Sequence, residues 1–272
     1  MMHGCLVCGE LDYHFLKSVP LCLCKNCGLL QRVVFPKESE LKEYYHGEQY
    51  YKDHNNPVPG VMFASSYVRG NKIVHFALSP SRRGVERIID LGCGVGGTVA
   101  QFNDMGFVAS GIDLNREAID YALSRNIDCY CADLNDKLLQ ADMYVLSHVV
   151  EHLPDPIGTI ANIRRQYPAA LLYVEVPQLT ALSSKDWDIA KFYAPAHISY
   201  FTITTLVNLL YVAGYEVVAT QKVSTDVCCG LFKVAGQDYT HRIKNDYRSI
   251  RTYLAMAELR KRLNIKAIGF NK

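Results

Sequence analysis

Residues 86–98 read ERIIDLGCGVGGT: a short apolar run, an acid, then closely spaced glycines. An apolar, β-branched run that ends in Asp and passes straight into glycine is a strand entering a tight turn before a helix. Two glycine patterns overlap in it. Gly92, Gly94 and Gly97 satisfy G-x-G-x-x-G, the turn that lets a pyrophosphate approach a helix N-terminus. Asp90, Gly92, Gly94 and Gly96 satisfy D-x-G-x-G-x-G, in which a carboxylate precedes the same close approach. The two patterns imply ligands of opposite charge, so the neighbouring acids decide between them.

From Glu86 onward strand and helix signals alternate. RIID, FVASGID, IDCYCAD, DMYVLSHV, LLYVEVP, YEVVATQKV and GLFKVA have strand character. Between them GGTVAQFNDMG, NREAIDYALSRN, DPIGTIANIRRQY and TITTLVNLLYVAG have helical periodicity. Repeated strand-then-helix units mean right-handed crossovers. The expected fold is therefore α/β: a doubly wound, mostly parallel seven-stranded sheet, Rossmann-like, over residues 85–236. Asp155 before Pro156, and Thr202 before LVNLL, supply helix starts. Too few residues separate the last two strands for a helical crossover, which predicts an antiparallel hairpin at one edge.

In such a sheet the C-terminal strand ends share one rim, and ligands bind in the crevice there. Asp90 closes the first strand, Asp113 in GIDLN the second and Asp133 in CADLN the third. A nicotinamide enzyme needs one acid about 20 residues past its glycines, for a ribose. Here Asp113, with Leu114 beside it, is placed for two ribose hydroxyls, Asp133 and Leu134 for an adenine edge, and Ser147 closes the fourth strand. Asp90 is left for the charged end of the ligand. A carboxylate there opposes a pyrophosphate and suits a sulfonium with an α-ammonium group, so the residues favour S-adenosylmethionine.

The 272 residues are 49% apolar and 21% charged, enough for one full core and an appendage. No apolar run reaches the roughly 18–20 residues of a membrane span. MMHGCLVCGE lacks the basic start and apolar centre of a secretion signal, so a cytoplasmic location is the expectation. Ten cysteines in such a chain argue for metal binding or reduced core thiols rather than disulfides. Cys5, Cys8, Cys24 and Cys27 follow C-x2-C-x15-C-x2-C, a spacing that brings four thiolates to one structural Zn²⁺, and they define a module over residues 1–35.

Residues 36–84 form a helical, tyrosine-rich lead-in expected to cover the site, and 237–272 a basic C-terminal helix. Residues 241–272 hold nine Lys or Arg against Asp246 and Glu258, +7 in a chain whose total is +2. A solvated amphipathic helix over 239–264, with Ile243, Tyr247, Ile250, Leu254 and Ala257 on one stripe, accounts for these charges without nucleic acid. Pairing of two copies through this helix is the partner expectation.

IIDLGCGVGG, SGIDLN, CADLN, DMYVLSHVVEHLPDP and VEVP, in this order, make residues 86–235 resemble class I S-adenosylmethionine-dependent methyltransferases. The cysteine knuckle, the tyrosine-rich lead-in and HISYFTITTLVNLLYVAGYEV are similar to bacterial methyltransferases that modify sugars in antibiotics and surface polysaccharides. The resemblance implies methyl transfer to a sugar, carried as a nucleotide sugar or a glycan intermediate. Ala196 precedes His197 where the C-methylating members carry an acid, which points to oxygen as the accepting atom.

A sugar hydroxyl is a poor nucleophile and gains from a base with a pKa near neutrality, which suits histidine. His197 follows the loop DWDIAKFYAPA and is the first candidate; His148 and His152 in SHVVEHL are the others. Tyr193 and Trp187 either stack on a sugar ring or anchor that loop. His148, Glu151 and His152 fall at i, i+3 and i+4, a divalent-metal reading that resembles the E-x-x-E-H of quinone and RNA-end O-methyltransferases. The plainer reading is that Glu151 and His152 cap a helix and order the cofactor loop. Two other functions fit the chain: O-methylation of a non-sugar metabolite, with or without that metal, and a scaffold that keeps the fold without catalysis.

Overall fold

The computed structural model describes residues 3–46, 58–78, 84–181, 187–194, 196–222, 226–236 and 242–263. Residues 47–57 of the tyrosine-rich lead-in lie outside them. The chain opens with three short antiparallel strands, β1 (Tyr13–Phe15), β2 (Leu21–Cys24) and β3 (Leu30–Arg32), and two helices, α1 (Glu38–His46) and α2 (Pro59–Ala77). The large unit then runs β4 (Arg87–Leu91), α3 (Gly97–Asp104), β5 (Val108–Asp113), α4 (Arg116–Ser124), β6 (Cys129–Cys131), β7 (Met143–Ser147), α5 (Pro156–Gln166) and β8 (Leu171–Pro177). It ends with α6 (Ile189–Phe192), β9 (Ser199–Tyr200), α7 (Ile203–Val212), β10 (Tyr215–Lys222), β11 (Val227–Val234) and α8 (Tyr247–Arg262).

Seven strands form one sheet in the order β10-β11-β8-β7-β4-β5-β6. The five from β4 to β8 are parallel, and the terminal hairpin inserts β11 antiparallel between β10 and β8, so the expected sheet and its edge hairpin are both present. Alternate side chains feed two cores. Ile89, Tyr144, Leu146, Leu172 and Val174 pack with α5 and α7 on one face. Ile88, Met143, Val145 and Tyr173 pack with α2, α3 and α4 on the other. The helix starts behave as their sequence suggests: Asp155 accepts from the Gly158 N–H, and Thr202 forms a reciprocal capping box with Thr205.

The cysteine module is not a separate body. Its sheet runs β1-β2-β3-β9, so its fourth strand comes from the large unit, and Cys5, Cys24 and Cys27 share a buried cluster with Phe201, Leu206 and Leu209. Helix α8 docks on the same module, with Ile250 buried against Leu21, Leu23 and Leu30, and Tyr247 and Leu254 packed beside it. The apolar stripe of this helix is thus used within the chain. The helix also starts later than the expected residue 239, at Tyr247. The reason is competition for the backbone. Asn208 bonds both the N–H and the C=O of Lys244, and the Asp246 N–H goes to the Cys27 carbonyl at 3.3 Å instead of to a helical partner.

Helices α2 and α3 cross through two glycines. A Cβ on Gly97 would lie 2.2 Å from the Phe63 carbonyl oxygen and 2.2 Å from Ser66 Oγ, and one on Gly70 would lie 2.9 Å from Gln101 Cβ. Backbone contact of this kind cannot yield to a side-chain adjustment. Gly97→Ala is therefore expected to cost about 1–3 kcal/mol by overpacking. Urea titration measures it, and an unmoved midpoint would mean that the two helices separate freely.

Candidate active site

The strands β4, β5 and β7 end side by side, with Asp90 opposite Gly111 on one side and Val145 on the other. Asp90 is 3% exposed. Burial pushes its carboxyl up to about 7; Arg69 and a Thr98 hydrogen bond pull it down, and Asp113 adds to the rise. Asp113 holds the glycine turn: Oδ2 accepts from the Gly94 N–H and Oδ1 from the Asn115 N–H, both at 2.8 Å. The turn is also fixed from below, since a Cβ on Gly92 would overlap Val149 Cγ2 at 2.5 Å. Leu114 is half-buried, its carbonyl facing Cys131 Sγ, and Leu134 packs against the first core. Asp133 caps its own turn, with Oδ1 accepting from the Asn135 backbone and side chain.

A second set of polar groups sits where β7 and β8 end, with Ser147 opposite Glu175. Ser147 Oγ donates to Glu175 Oε1 at 3.1 Å and the Tyr173 hydroxyl to Oε2 at 3.0 Å. Arg69 Nε stands 3.8 Å from Oε1. Glu175 and Arg69 were not among the sequence candidates. Glu175 had a signal, as the one charge inside the apolar run LLYVEVP. Arg69 had none, because only the close crossing of α2 on α3 brings it to the rim.

After Ser147 the backbone turns sharply: His148 has φ 58°, and Val150–His152 form a single 3₁₀ turn rather than a helix. Glu151 is 1% exposed, and among the described residues neither of its carboxylate oxygens has a hydrogen-bond partner. His148 Nδ1 lies 3.6 Å from Oε1, and its Nε2 lies 3.5 Å from Glu175 Oε1. His152 Nε2 lies 3.8 Å from Glu151 Oε1, and its ring meets that of His197 edge-on at 4.7 Å. Burial raises the Glu151 pKa, but His148, His152 and His197 together outweigh this and hold it at about 2. The structure thus brings all three candidate histidines around one buried carboxylate.

Tyr193 and Trp187 face elsewhere. The Tyr193 hydroxyl meets Arg32, and Trp187 lies under Arg260 at 4.2 Å and beside Tyr253, so the loop between β8 and β9 is anchored to α8. Away from the rim, the four module cysteines converge, with Cys5 and Cys27 sulfurs 3.4 Å apart and Cys8 and Cys24 sulfurs 3.5 Å apart.

Residues 66–220, more than half of the chain, match the methyltransferase domain family. This chain belongs to that family. Its fold is similar to magnesium protoporphyrin IX methyltransferase from Synechocystis PCC 6803 with bound S-adenosylhomocysteine, at 14% identity and TM-score 0.57 over 74% of this chain and 100% of that one. It is also similar to 1,6-didemethyltoxoflavin-N1-methyltransferase from Burkholderia thailandensis, at 15% identity and TM-score 0.55 over 83% and 100%. A third is a mitomycin 7-O-methyltransferase, at 16% identity and TM-score 0.57 over 72% and 60%. No curated protein matches the sequence.

In this methyltransferase the buried Asp90 makes a test of the rim's electrostatics. Its folded-state pKa, about 7, lies above the ordinary 3.8, so the folded chain binds the extra proton and stability falls as pH rises between those values. From about pH 5 to about pH 7 the loss should be roughly 2–3 kcal/mol, at about 1.36 kcal/mol per unit. Asp90→Asn should remove that part of the slope in urea titrations of the cofactor-free chain. Equal slopes in both proteins would contradict the assignment.

Proposed function

We propose that this chain transfers methyl from S-adenosylmethionine to a hydroxyl oxygen of a sugar, carried as a nucleotide sugar or glycan intermediate. The observation that carries this reading is the set of three imidazoles, His148, His152 and His197, gathered around Glu151 next to the glycine turn. A hydroxyl acceptor needs a proton acceptor at that place. When bound, S-adenosylmethionine supplies a methyl on a sulfonium, and transfer leaves a neutral thioether. Asp113 and the glycine turn orient the ribose, Leu114, Asp133 and Leu134 line the adenine side, and Asp90, Gly92, Gly94, Gly96 and Ser147 complete the cofactor rim. The acceptor proton passes to an imidazole of the cluster while the oxygen lone pair forms the new C–O bond. The sugar preference rests on the resemblance of the cysteine module, whose β3 pairs with the strand that follows His197.

Asp113→Ala removes both the loop anchor and the ribose acceptor, and should weaken S-adenosylmethionine binding by about 2–4 kcal/mol. Calorimetry measures it. A wild-type chain that binds no cofactor would be a scaffold and would end this reading. Turnover to S-adenosylhomocysteine across nucleotide sugars then tests the acceptor. The similar structures carry porphyrin, mitomycin and toxoflavin methyltransferases, so turnover confined to aromatic or other non-sugar hydroxyls would replace the sugar by that class.

The same reading gives the four cysteines one structural Zn²⁺, which their convergence fits: four sulfurs leave no open position for chemistry. Metal analysis of protein purified without chelator should find at least one zinc per chain. Replacement of all four cysteines should abolish cooperative unfolding or lower its midpoint sharply.

A further inference from the structure

We propose that Glu151, His152 and His197 form a binding site for a divalent first-row transition cation, separate from the cysteine cluster. One donor atom from each of the three residues lies within 4.8 Å of the others. Ligand atoms about 2.1 Å from one ion stand about 3.0–3.4 Å apart, so closure needs shifts of about 1 Å. Turning two imidazoles supplies shifts of that size. The set differs from the one that sequence spacing suggests: His197, 45 residues further along the chain, joins Glu151 and His152, while His148 stands between Glu151 and Glu175.

Two observations independent of this spacing point to an ion. The first is Glu151 itself, a fully buried carboxylate with neither oxygen hydrogen-bonded among the described residues. A buried anion in that condition is costly unless a cation faces it. The second is the orientation of His152. Its Nδ1 is 3.2 Å from the Ala196 carbonyl oxygen, which can only accept, so Nδ1 carries the proton. Its Nε2 is thereby turned toward the carboxylate 3.8 Å away. A backbone carbonyl that fixes the outer nitrogen is the usual arrangement of a ligating histidine.

The donor chemistry selects the ion. Two imidazole nitrogens and one carboxylate oxygen suit Zn²⁺, Co²⁺, Ni²⁺ or Mn²⁺; Ca²⁺ and Mg²⁺ favour all-oxygen shells, and no thiolate enters this set. Three protein ligands leave further positions for water or an acceptor oxygen. The ligands are also held by main chain: the Ile198 N–H donates to the Glu151 carbonyl at 2.8 Å, so His197 cannot drift from Glu151 without breaking a buried bond. A part in methyl transfer would rest on the functional reading above, whereas binding of the ion does not.

The test uses the full chain with zinc in the cysteine cluster, titrated with Co²⁺ by calorimetry and followed by the paramagnetic shift of histidine ring protons. One Co²⁺ per chain beyond the cluster's zinc is expected. Loss of outer-shell partners alone costs 10–100-fold in affinity, so His197→Ala and Glu151→Gln should each weaken binding by about 100-fold or more. His197 is only half-buried, so its variant decides the point should Glu151→Gln fail to fold. Absence of Co²⁺ uptake by the wild type would overturn the proposal and mean that His152 meets Glu151 as an imidazolium. Uptake unchanged in His197→Ala would overturn it equally. Methyl transfer by a chain that binds no Co²⁺ would sink the site and leave the function, and Co²⁺ binding without methyl transfer would do the reverse.

Discussion

The five residues His197–Phe201 join the two sheets, and the geometry of the rim depends on them. The Ile198 N–H donates to the Glu151 carbonyl and its own carbonyl accepts from the Arg32 N–H. Ser199 and Tyr200 pair with Gln31 and Leu30, and Phe201 bridges to Gln178. Ile198, Ser199, Tyr200 and Phe201 are all buried, so these amides have no water to fall back on and their bonds are obligatory. The place of His197 is therefore set by main-chain register on both sides. The small cysteine sheet, which looks peripheral along the sequence, is half of the frame that sets it.

The rim also carries more buried charge than stability would favour. Asp90, Glu151 and Glu175 are all buried, and apolar groups of similar shape would cost less to bury. Arg69 faces Glu175 and lowers the Asp90 pKa, while imidazoles surround Glu151. Arg69 can do this only because α2 lies against α3 at glycine-to-backbone distance. A steric property of Gly70 and Gly97 is thereby converted into the charge balance of a site formed by other elements. Retention of three such carboxylates at one rim points to ligand chemistry rather than to folding.

What was legible in the sequence was local. The glycine turn after β4, the strand-helix alternation and the caps at Asp155 and Thr202 each depend on neighbours a few residues away, and each appears as expected. The cysteine spacing likewise gave the cluster. The structure departs from local expectation where distant groups take over. Helical spacing suggests that His148, Glu151 and His152 share a face; a positive φ at His148 and a 3₁₀ turn stand in place of that helix, yet both histidines still lie within 3.8 Å of Glu151, and His197 joins them from the strap His197–Phe201 that pairs with β3. Periodicity ran on through residues 242–246, yet Asn208 and the knuckle recruit that backbone before a helix can form.

These long-range bonds connect the knuckle to the rim through a short path. Cys24 ends β2, and Cys27 precedes β3, whose Leu30 and Gln31 carry the strap. The Cys27 carbonyl accepts from Asp246, whose Oδ2 accepts from Thr202 Oγ1 at 2.9 Å, and Thr202 both ends the strap and caps α7. Loosening of the four sulfurs would free the β2–β3 turn, and with it one side of the ladder that holds Ile198. The Arg32 N–H bond to the Ile198 carbonyl would then be lost, leaving the Ile198 N–H bond to the Glu151 carbonyl alone to place His197 beside that carboxylate. The knuckle lies away from the rim, but the relation between the buried carboxylate and its third imidazole is maintained through it.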